Sequence, residues 1–241
     1  MNYVIDIGNS FSKLGIYNNG NRVKVHGSLS DDQLIQKISQ IKTGKCIIAS
    51  VRENIEFIIE SISEEIGLLL LDEETSLPIH NGYHTPKTLG VDRIAGVVAA
   101  NMLFPDTNLL VIDVGTAITY DFINSDGRFI GGGISPGPEM KLKALNFYTD
   151  NLPKIDQVKE YGLIGKSTEE CILSGVFEGT WAEITGIIAQ YNHKFTELRV
   201  IMCGGGLNHF ESKIKDPIFV APELILDGLN RILEYNVSEE S

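Results

Sequence analysis

Two short segments place a carboxylate, a glycine and a hydroxyl group within five residues of one another. They are 6–10 (DIGNS) and 113–117 (DVGTA). Where an Asp ends one strand and Gly opens a tight turn into the next, a carboxylate, free N–H groups and a hydroxyl meet at one point, which suits phosphate and a cation. Lys13 follows at a place from which a second-strand side chain reaches the same phosphates. One such segment usually marks an ordinary hairpin turn, but two copies favour a phosphate site.

A third segment, 90–93 (GVDR), places an acid and a base immediately before the apolar stretch 94–100. That stretch is typical of a helix, so Asp92 and Arg93 lie at a helix N-terminus. One interpretation is simple capping, with Asp92 favoured by the helix dipole and Arg93 in solvent. The other is a general base beside an anion-binding guanidinium. This segment alone favours neither.

Two glycine runs each end a strand and open a helix. The run 131–137 (GGGISPG) has Pro in the first helical turn and is expected on the floor of a cleft. The run 204–206 would let a flat ligand such as adenine lie against the backbone, although helix capping explains it nearly as well. The glycine patterns of P-loop and dinucleotide-binding folds are absent. His26, His80 and His84 lack metal-ligand spacing and are expected on the surface or in loops.

The elements that must position these residues are short and regular in the first half of the chain. β-branched stretches separated by turn sequences predict an antiparallel meander, followed by alternating helices and strands. The predicted strands are 3–7, 13–17, 22–27, 45–51 and 68–71, and the predicted helices are 31–41 and 54–66. The first half therefore has the order βββαβαβ.

The second half begins the same pattern again at Leu109. Segments 109–114, 119–123 and 128–134 repeat the three strands, and an offset of 107 residues superimposes the two Asp-x-Gly segments. The same offset moves Gly20 onto Gly127, so two features agree. We interpret this as a duplication rather than a coincidence between two common hairpins. It predicts an N-terminal lobe of residues 1–106 and a C-terminal lobe of residues 107–241.

The rest of the second half is predicted to be mainly helical. Helices are expected at 136–146, 167–191, 208–213 and 223–235, and strands at 198–203 and 218–221. Gly175, Gly179 and Gly186 would normally weaken their helix by about 1 kcal/mol each relative to Ala. Such glycines indicate a close backbone approach. The helix then packs either on the sheet of its own lobe or against a second copy across a dimer interface.

Composition limits the possible partners. The net charge of −12 opposes binding to nucleic acid or to an anionic membrane, so neither is expected. The N-terminus, MNYVID, lacks the basic region and apolar core of a signal peptide, which predicts a cytoplasmic protein. Cys46, Cys171 and Cys203 are widely separated and are expected as small core residues rather than as disulfide or zinc ligands.

The four motifs at 6–13, 90–93, 113–117 and 131–137, in this order and spacing, resemble the type III pantothenate kinases. The similarity extends from residue 1 to about Gly206. It implies an α/β fold of the actin and sugar-kinase type, with two RNase H-like lobes and an active-site cleft between them. It also implies a homodimer that transfers the γ-phosphoryl group of ATP to pantothenate, the first step towards coenzyme A.

The resemblance also implies roles for individual residues, with Mg²⁺ accompanying ATP. Asp92 would be the catalytic base, and Asp113 would bind a monovalent cation, K⁺ or NH₄⁺. The ATP-binding residues would be Asp6, Ile7, Gly8, Asn9, Ser10, Phe11, Ser12, Lys13 and Thr116. The substrate-binding residues would be Tyr83, Gly90, Val91, Asp92, Arg93 and Thr168, with Tyr83 and Thr168 carried over on shorter motifs. Ser10 replaces the commoner Thr and keeps the hydroxyl.

Two alternatives remain at this point. A small sugar kinase shares the duplicated Asp-x-Gly loops, although sugar kinases usually have longer chains. A non-catalytic regulator or assembly protein would keep the fold without transferring phosphate. Asp92 separates the two classes, because a binding module has no need of a base beside its substrate. The release of ADP with pantothenate or with sugars would decide between the kinases.

Overall fold

The computed structural model describes residues 1–215 and 217–239 of the chain. They form two compact units. Unit 1 contains Met1–Thr107, Ile123–Gly131 and Glu223–Ser241, and unit 2 contains Asn108–Phe122 and Gly132–Pro222. The lobe boundary at residues 106 and 107 stays a prediction, because a packing unit and a duplicated half are different divisions of a chain.

Both units contain strands and helices. In chain order the elements are β1 (Asn2–Ile7), β2 (Ser12–Asn18), β3 (Asn21–Leu29), α1 (Asp31–Ile38), β4 (Gly44–Ser50), α2 (Glu56–Ile59), β5 (Ile66–Leu70), β6 (His80–Asn81), α3 (Val91–Leu103), β7 (Leu109–Val114), β8 (Ala117–Ile123), β9 (Arg128–Pro136), α4 (Pro138–Phe147), α5 (Thr168–Lys194), β10 (Arg199–Cys203), β11 (Ile218–Val220) and α6 (Leu224–Glu239). Short 3₁₀ helices cover Pro86–Thr88 and Gly205–His209.

Unit 1 is built on a five-stranded sheet with the order β3-β2-β1-β4-β5. The first three strands are antiparallel, and β4 and β5 join them in parallel. Ile5, Ile48 and Leu34 lie in a core on one side of this sheet. Helices α3 and α6 contact each other closely, since a Cβ on Gly228 would lie 1.9 Å from the carbonyl oxygen of Ala95. The predicted βββαβαβ order is thus observed.

Unit 2 is built on strands in the order β11-β10-β7-β8-β9, and β7, β10 and β11 are parallel. The tip of the β8–β9 hairpin belongs to unit 1, where Arg128 and Phe129 pair with β6. Helix α5 is long and apolar enough to cross a membrane by length and composition alone, and one such helix is weak evidence for a membrane span. Its Leu173, Phe177 and Ile184 are buried in the core of unit 2.

Two predicted helices are wrong in length or type. Segment 54–66 forms only the single turn α2, because the hydroxyl of Ser61 donates to the carbonyl of Ile58 at 2.6 Å and competes with the helix ladder. Segment 208–213 is replaced by a 3₁₀ helix that already begins at Gly205. One cysteine prediction is also wrong, since Cys171 is exposed whereas Cys46 and Cys203 are buried.

Candidate active site

The first Asp-x-Gly loop connects β1 to β2. Asp6 and Lys13 are direct cross-strand partners at its two sides. The Gly8 N–H donates to the carbonyl of Phe11 at 3.2 Å, and a Cβ on Gly8 would lie 3.0 Å from the same oxygen. Glycine thus keeps the loop tight, as a backbone that must approach phosphate requires. Asn9, Ser10 and Phe11 are exposed.

Two residues of this loop region have no exposed side chain. The Ile7 side chain is fully buried in the core of unit 1, so Ile7 can meet a ligand only through its backbone. Ser12 is also fully buried, and its Oγ has no hydrogen-bond partner within the described residues. A buried hydroxyl without a partner is costly, and such groups are often found where a ligand completes the site.

Asp6 is the electrostatic centre of this part of unit 1. Burial raises the pKa of its carboxyl group to about 6; the negative charges of Asp92 and Glu223 act in the same direction, and Lys13 opposes them. Lys13 is also paired with Glu223, the residue just before α6, with an Nζ–Oε2 distance of 3.0 Å. Three acids that repel one another beside a lysine favour the arrival of a cation or a cation–phosphate complex.

Asp92 lies in the first turn of α3 and is partly buried. Its Oδ1 accepts a hydrogen bond of 2.8 Å from the backbone N–H of Arg93, so it satisfies one free N–H of the first turn, although the N-cap residue is Gly90. A Cβ on Gly90 would lie 2.5 Å from Oδ1, which explains why glycine precedes it. The capping role is therefore real, but it uses one carboxylate oxygen, and Asp92 also acts electrostatically on Asp6.

The capping interpretation placed the Arg93 side chain in solvent, but the structure buries it. Its relative exposure is 7%, and its guanidinium lies 5.5 Å from the ring centroid of Tyr83. Tyr83 stacks in turn on Phe129, with centroids 5.9 Å apart and ring planes 12° apart. A buried guanidinium on an aromatic ring is held in a fixed direction, which is what recognition of a carboxylate needs.

The second Asp-x-Gly loop connects β7 to β8 in unit 2. The Gly115 N–H donates to the carbonyl of Ala117 at 3.0 Å, and the Gly137 N–H donates to the carbonyl of Thr116 at 3.0 Å. A Cβ on Gly137 would lie 2.3 Å from the Gly115 oxygen. The predicted glycine run at 131–137 thus lies directly against this loop.

Asp113 lies beside the other glycine run. Cys203, at the end of β10, pairs with Asp113, and a Cβ on Gly204 would lie 2.2 Å from Asp113 Oδ1 and 2.5 Å from the Val114 carbonyl oxygen. Gly204 has φ = +96°, which glycine adopts without strain. Only glycine leaves these two oxygens accessible, and oxygen ligands are those that hard cations prefer. The residues therefore fit a monovalent cation, although no cluster of three or more His, Cys, Asp or Glu residues occurs in 1–215 and 217–239.

Comparisons with known proteins agree with this geometry. The sequence profile of the type III pantothenate kinases matches residues 2–190. The type III pantothenate kinases of Cytophaga hutchinsonii and Phocaeicola vulgatus are each 44% identical to this chain, covering 98% of it and 100% and 99% of the relatives. The chain belongs to the type III pantothenate kinases. It phosphorylates pantothenate with ATP in the first step of coenzyme A biosynthesis, and this assignment selects against the sugar-kinase and regulator alternatives.

Solved structures with low sequence identity show the same fold. A protein described as a Baf family transcriptional activator from Campylobacter jejuni has a TM-score of 0.58 at 20% identity and covers 98% of this chain and 99% of its own. A protein described as a 2-dehydro-3-deoxygalactonokinase from Sinorhizobium meliloti has a TM-score of 0.56 at 13% identity, with the same coverage. These neighbours share the two-sheet α/β fold that the sequence predicts.

Within this family framework, the structure brings some predicted residues together. Asp6, Lys13 and Asp92 interact in unit 1, and Arg93 and Tyr83 lie against each other there. Thr168 is exposed in unit 2, where it opens α5 directly after the cap residue Ser167. No contact with another predicted site residue is described for it.

Sequence reasoning missed two charged residues. Glu223, the partner of Lys13, was read only as the start of the last helix. Glu183, in the middle of α5, was not singled out at all, although it binds three side chains. A lone Glu in a helix gives no sequence signal of this kind, because its partners lie 42 to 63 residues away along the chain.

Proposed function

We propose that Asp92 is the general base of pantothenate phosphorylation in this chain. The observation that supports it best is that the negative charge of Asp92 helps to raise the pKa of Asp6, which lies at the end of β1 where the proposed phosphate loop begins. The substrate hydroxyl oxygen attacks the γ-phosphorus of ATP while the bond from that phosphorus to the β-γ bridging oxygen breaks. ADP leaves with that oxygen, and the hydroxyl proton passes to the Asp92 carboxylate.

Arg93 binds the carboxylate of pantothenate in this proposal. Its burial and its position on the Tyr83 ring support this role, since a desolvated guanidinium pairs strongly with a carboxylate. Gly90 and Val91 complete the substrate-binding turn at the start of α3. The far end of pantothenate is then fixed while its hydroxyl meets Asp92, which replaces a random encounter by a defined one.

ATP is proposed to bind to the loop from Asp6 to Lys13 and to Thr116. The loop's exposed N–H and hydroxyl groups are suited to phosphate oxygens, and Lys13 supplies a positive charge next to them. Mg²⁺ on the phosphates would neutralise developing charge and relieve the repulsion around Asp6. Asp113 is the proposed ligand of a monovalent cation, with the Val114 carbonyl oxygen beside it.

A homodimer and a cytoplasmic location complete the proposal. Gly175, Gly179 and Gly186 have no atom within 4 Å of an added Cβ, so packing on the sheet of their own lobe is not their reason. A helix pair between two copies explains them. Large side chains are also exposed in unit 2, among them Phe147 and Tyr148 at 80% and 81%. Thr168 would then contribute to a substrate pocket near the subunit contact.

The test of Asp92 is the variant Asp92→Asn. The amide oxygen still accepts from the Arg93 N–H, so the helix cap survives while the base is lost. A positioned base is typically worth about 10² to 10⁴ in rate, so kcat should fall by that factor with little change in ATP binding. Asp32→Asn is the matched control, because Asp32 is also the second residue of its helix. A near-normal kcat in Asp92→Asn would show that Asp92 serves only to stabilise the start of its helix.

The test of Arg93 uses two substrates. Pantothenyl alcohol keeps the reacting hydroxyl of pantothenate and replaces its carboxylate by a neutral group. Arg93→Ala should raise the KM for pantothenate strongly with a smaller effect on kcat, because binding shared by ground and transition states is lost. It should leave the KM for pantothenyl alcohol nearly unchanged. If Arg93→Ala raised the KM for both substrates equally, Arg93 would not be the residue that binds the carboxylate of pantothenate.

A further inference from the structure

A polar cluster in unit 2 is centred on Glu183 of α5. Its carboxylate accepts hydrogen bonds from the Tyr120 hydroxyl at 2.8 Å and from the Ser135 hydroxyl. Lys141 of α4 donates to it at 2.7 Å and also to the Thr180 hydroxyl at 3.0 Å. One carboxylate thus joins β8, the end of β9, α4 and α5.

The hydrogen bonds of the cluster stabilise the ionised form of Glu183. Burial acts to raise the pKa of Glu183, but the hydrogen bonds from Lys141, Ser135 and Tyr120 outweigh it and lower the pKa below its usual value. Glu183 is therefore a carboxylate at neutral pH. Hydrogen bonds to an ionised acceptor are stronger than those between neutral groups, so the Ser135 hydroxyl is firmly held.

Ser135 is two residues from the contact that shapes the second Asp-x-Gly loop. Gly137 donates its N–H to the Thr116 carbonyl at 3.0 Å, and a Cβ on Gly137 would lie 2.3 and 2.5 Å from the carbonyl oxygens of Gly115 and Thr116. Pro136, between Ser135 and Gly137, has a fixed φ and leaves the segment little freedom. A shift of Ser135 would therefore be passed to Gly115 and Thr116.

We propose that Glu183 is a positioning residue for ATP: by holding Ser135 it fixes Gly137 against Gly115 and Thr116, and so keeps that loop in its nucleotide-binding shape. The proposal rests on the assignment of Thr116 to ATP. Glu183 itself touches no substrate in this account. Its effect should appear in nucleotide affinity rather than in the chemical step.

A purely structural role must be separated from this one, and α5 contains a matched control. Glu178 pairs with Lys213, and the side-chain exposures of 30% and 25% are close to the 28% and 22% of Glu183 and Lys141. Neither Glu178 nor Lys213 has a described bond to the segment 131–137. Glu178→Gln therefore removes a comparable ion pair from the same helix without disturbing Ser135.

The experiment compares Glu183→Gln and Glu178→Gln in the full-length enzyme. KM values for ATP and pantothenate and kcat are measured by ADP release, and the Kd for ADP is measured by calorimetry. Glu183→Gln should raise the ATP KM and the ADP Kd about tenfold, the size expected when a charge-assisted hydrogen bond to Ser135 becomes a weaker neutral one. Its kcat and pantothenate KM should change little. Glu178→Gln should leave all four values near those of the wild type.

Ser135 provides a second, milder test that does not depend on the folding of Glu183→Gln. Ser135→Ala should reproduce the nucleotide defect, and Ser135→Thr should restore most of the affinity because it keeps the hydroxyl. The double variant should bind nucleotide no worse than Ser135→Ala alone, because Glu183→Gln weakens the same hydrogen bond that Ser135→Ala removes. Equal nucleotide constants in Glu183→Gln, Ser135→Ala and Glu178→Gln would overturn the proposal. A wild-type enzyme that binds ADP normally but does not phosphorylate pantothenate would instead contradict the function.

Discussion

Asp6 shows how a single residue sets the electrostatics of the site. Its carboxyl group has a pKa raised to about 6 by burial and by the nearby charges of Asp92 and Glu223. At neutral pH it is ionised at a cost in stability, which a cation on bound ATP would recover. The residue is thus placed for binding rather than for folding, as is common in active sites.

Because the ionised Asp6 carboxylate lowers the stability of the folded protein, its removal should give a more stable variant. Because the pKa in the folded state lies above the ordinary value of 3.8, the folded protein binds more protons than the unfolded chain between pH 3.8 and 6, and stability falls as pH rises through that window. Asp6→Asn should therefore raise the free energy of unfolding by about 1–3 kcal/mol at pH 8. The gain should shrink towards pH 5. Urea unfolding at both pH values measures it, and an Asp6→Asn protein less stable than the wild type at pH 8 would contradict it.

Glu223 predicts a change in nucleotide affinity. It pairs with Lys13 at 3.0 Å, and both side chains are partly exposed, at 26% and 34%. ATP phosphates must compete with this carboxylate for the lysine. A pair of this exposure is worth at most about 1 kcal/mol, so Glu223→Gln should tighten ATP binding by up to about fivefold. Glu211→Gln, at an exposed position of unit 2, serves as control. Weaker ATP binding in Glu223→Gln would show that Glu223 assists Lys13 instead.

Among the elements, α3 and α6 form the support of the substrate-binding turn. Gly228 of α6 allows α3 to approach so closely that a methyl group would overlap the Ala95 backbone. Since α3 begins at Val91, its placement also determines that of Asp92 and Arg93. The precision of the site therefore depends on helix packing well outside it.

Gly228→Ala is expected to disturb this packing. The added methyl group meets backbone atoms that cannot move aside cheaply, so the free energy of unfolding should fall by about 1–3 kcal/mol or more. Gly27→Ala is the control in the same unit, because nothing lies within 4 Å of its Cβ position. Urea unfolding compares the two variants. Equal stability of Gly228→Ala and Gly27→Ala would mean that α3 and α6 are not tightly packed.

At the scale of the whole molecule, the glycine-lined face of α5 predicts a dimer. A Cβ on Gly179 would have no atom of another residue within 4 Å, so a single copy should tolerate Gly179→Leu and gain about 1 kcal/mol of helix propensity. In a dimer with closely packed helices it should instead lower the molecular mass measured by light scattering. Thr185→Leu, exposed on another side of α5, is the control. A wild-type protein that is monomeric and active at assay concentration would show that activity does not need a dimer.

Sequence patterns predicted those parts of the molecule that depend on local chemistry. The Asp6 and Asp113 loops could be predicted from the sequence because a strand end, a glycine and a hydroxyl lie within five residues. The βββαβαβ order followed from alternating hydrophobic strands. The short α2 was missed because the hydroxyl of Ser61 competes with a helical ladder that hydrophobic spacing alone favours. Glu223 was missed because its partner Lys13 lies 210 residues away, a distance at which only the fold decides contact.

The product that the purified protein forms from ATP and pantothenate tests the proposed reaction most directly. With Mg²⁺ and K⁺ present, the wild type should release one ADP for each pantothenate that gains a phosphoryl group on its primary hydroxyl, identified by mass spectrometry and NMR. The rate should fall by about 10² to 10⁴ in Asp92→Asn under the same conditions. Release of ADP that does not depend on pantothenate, or a wild-type protein that phosphorylates only sugars, would contradict the central claim.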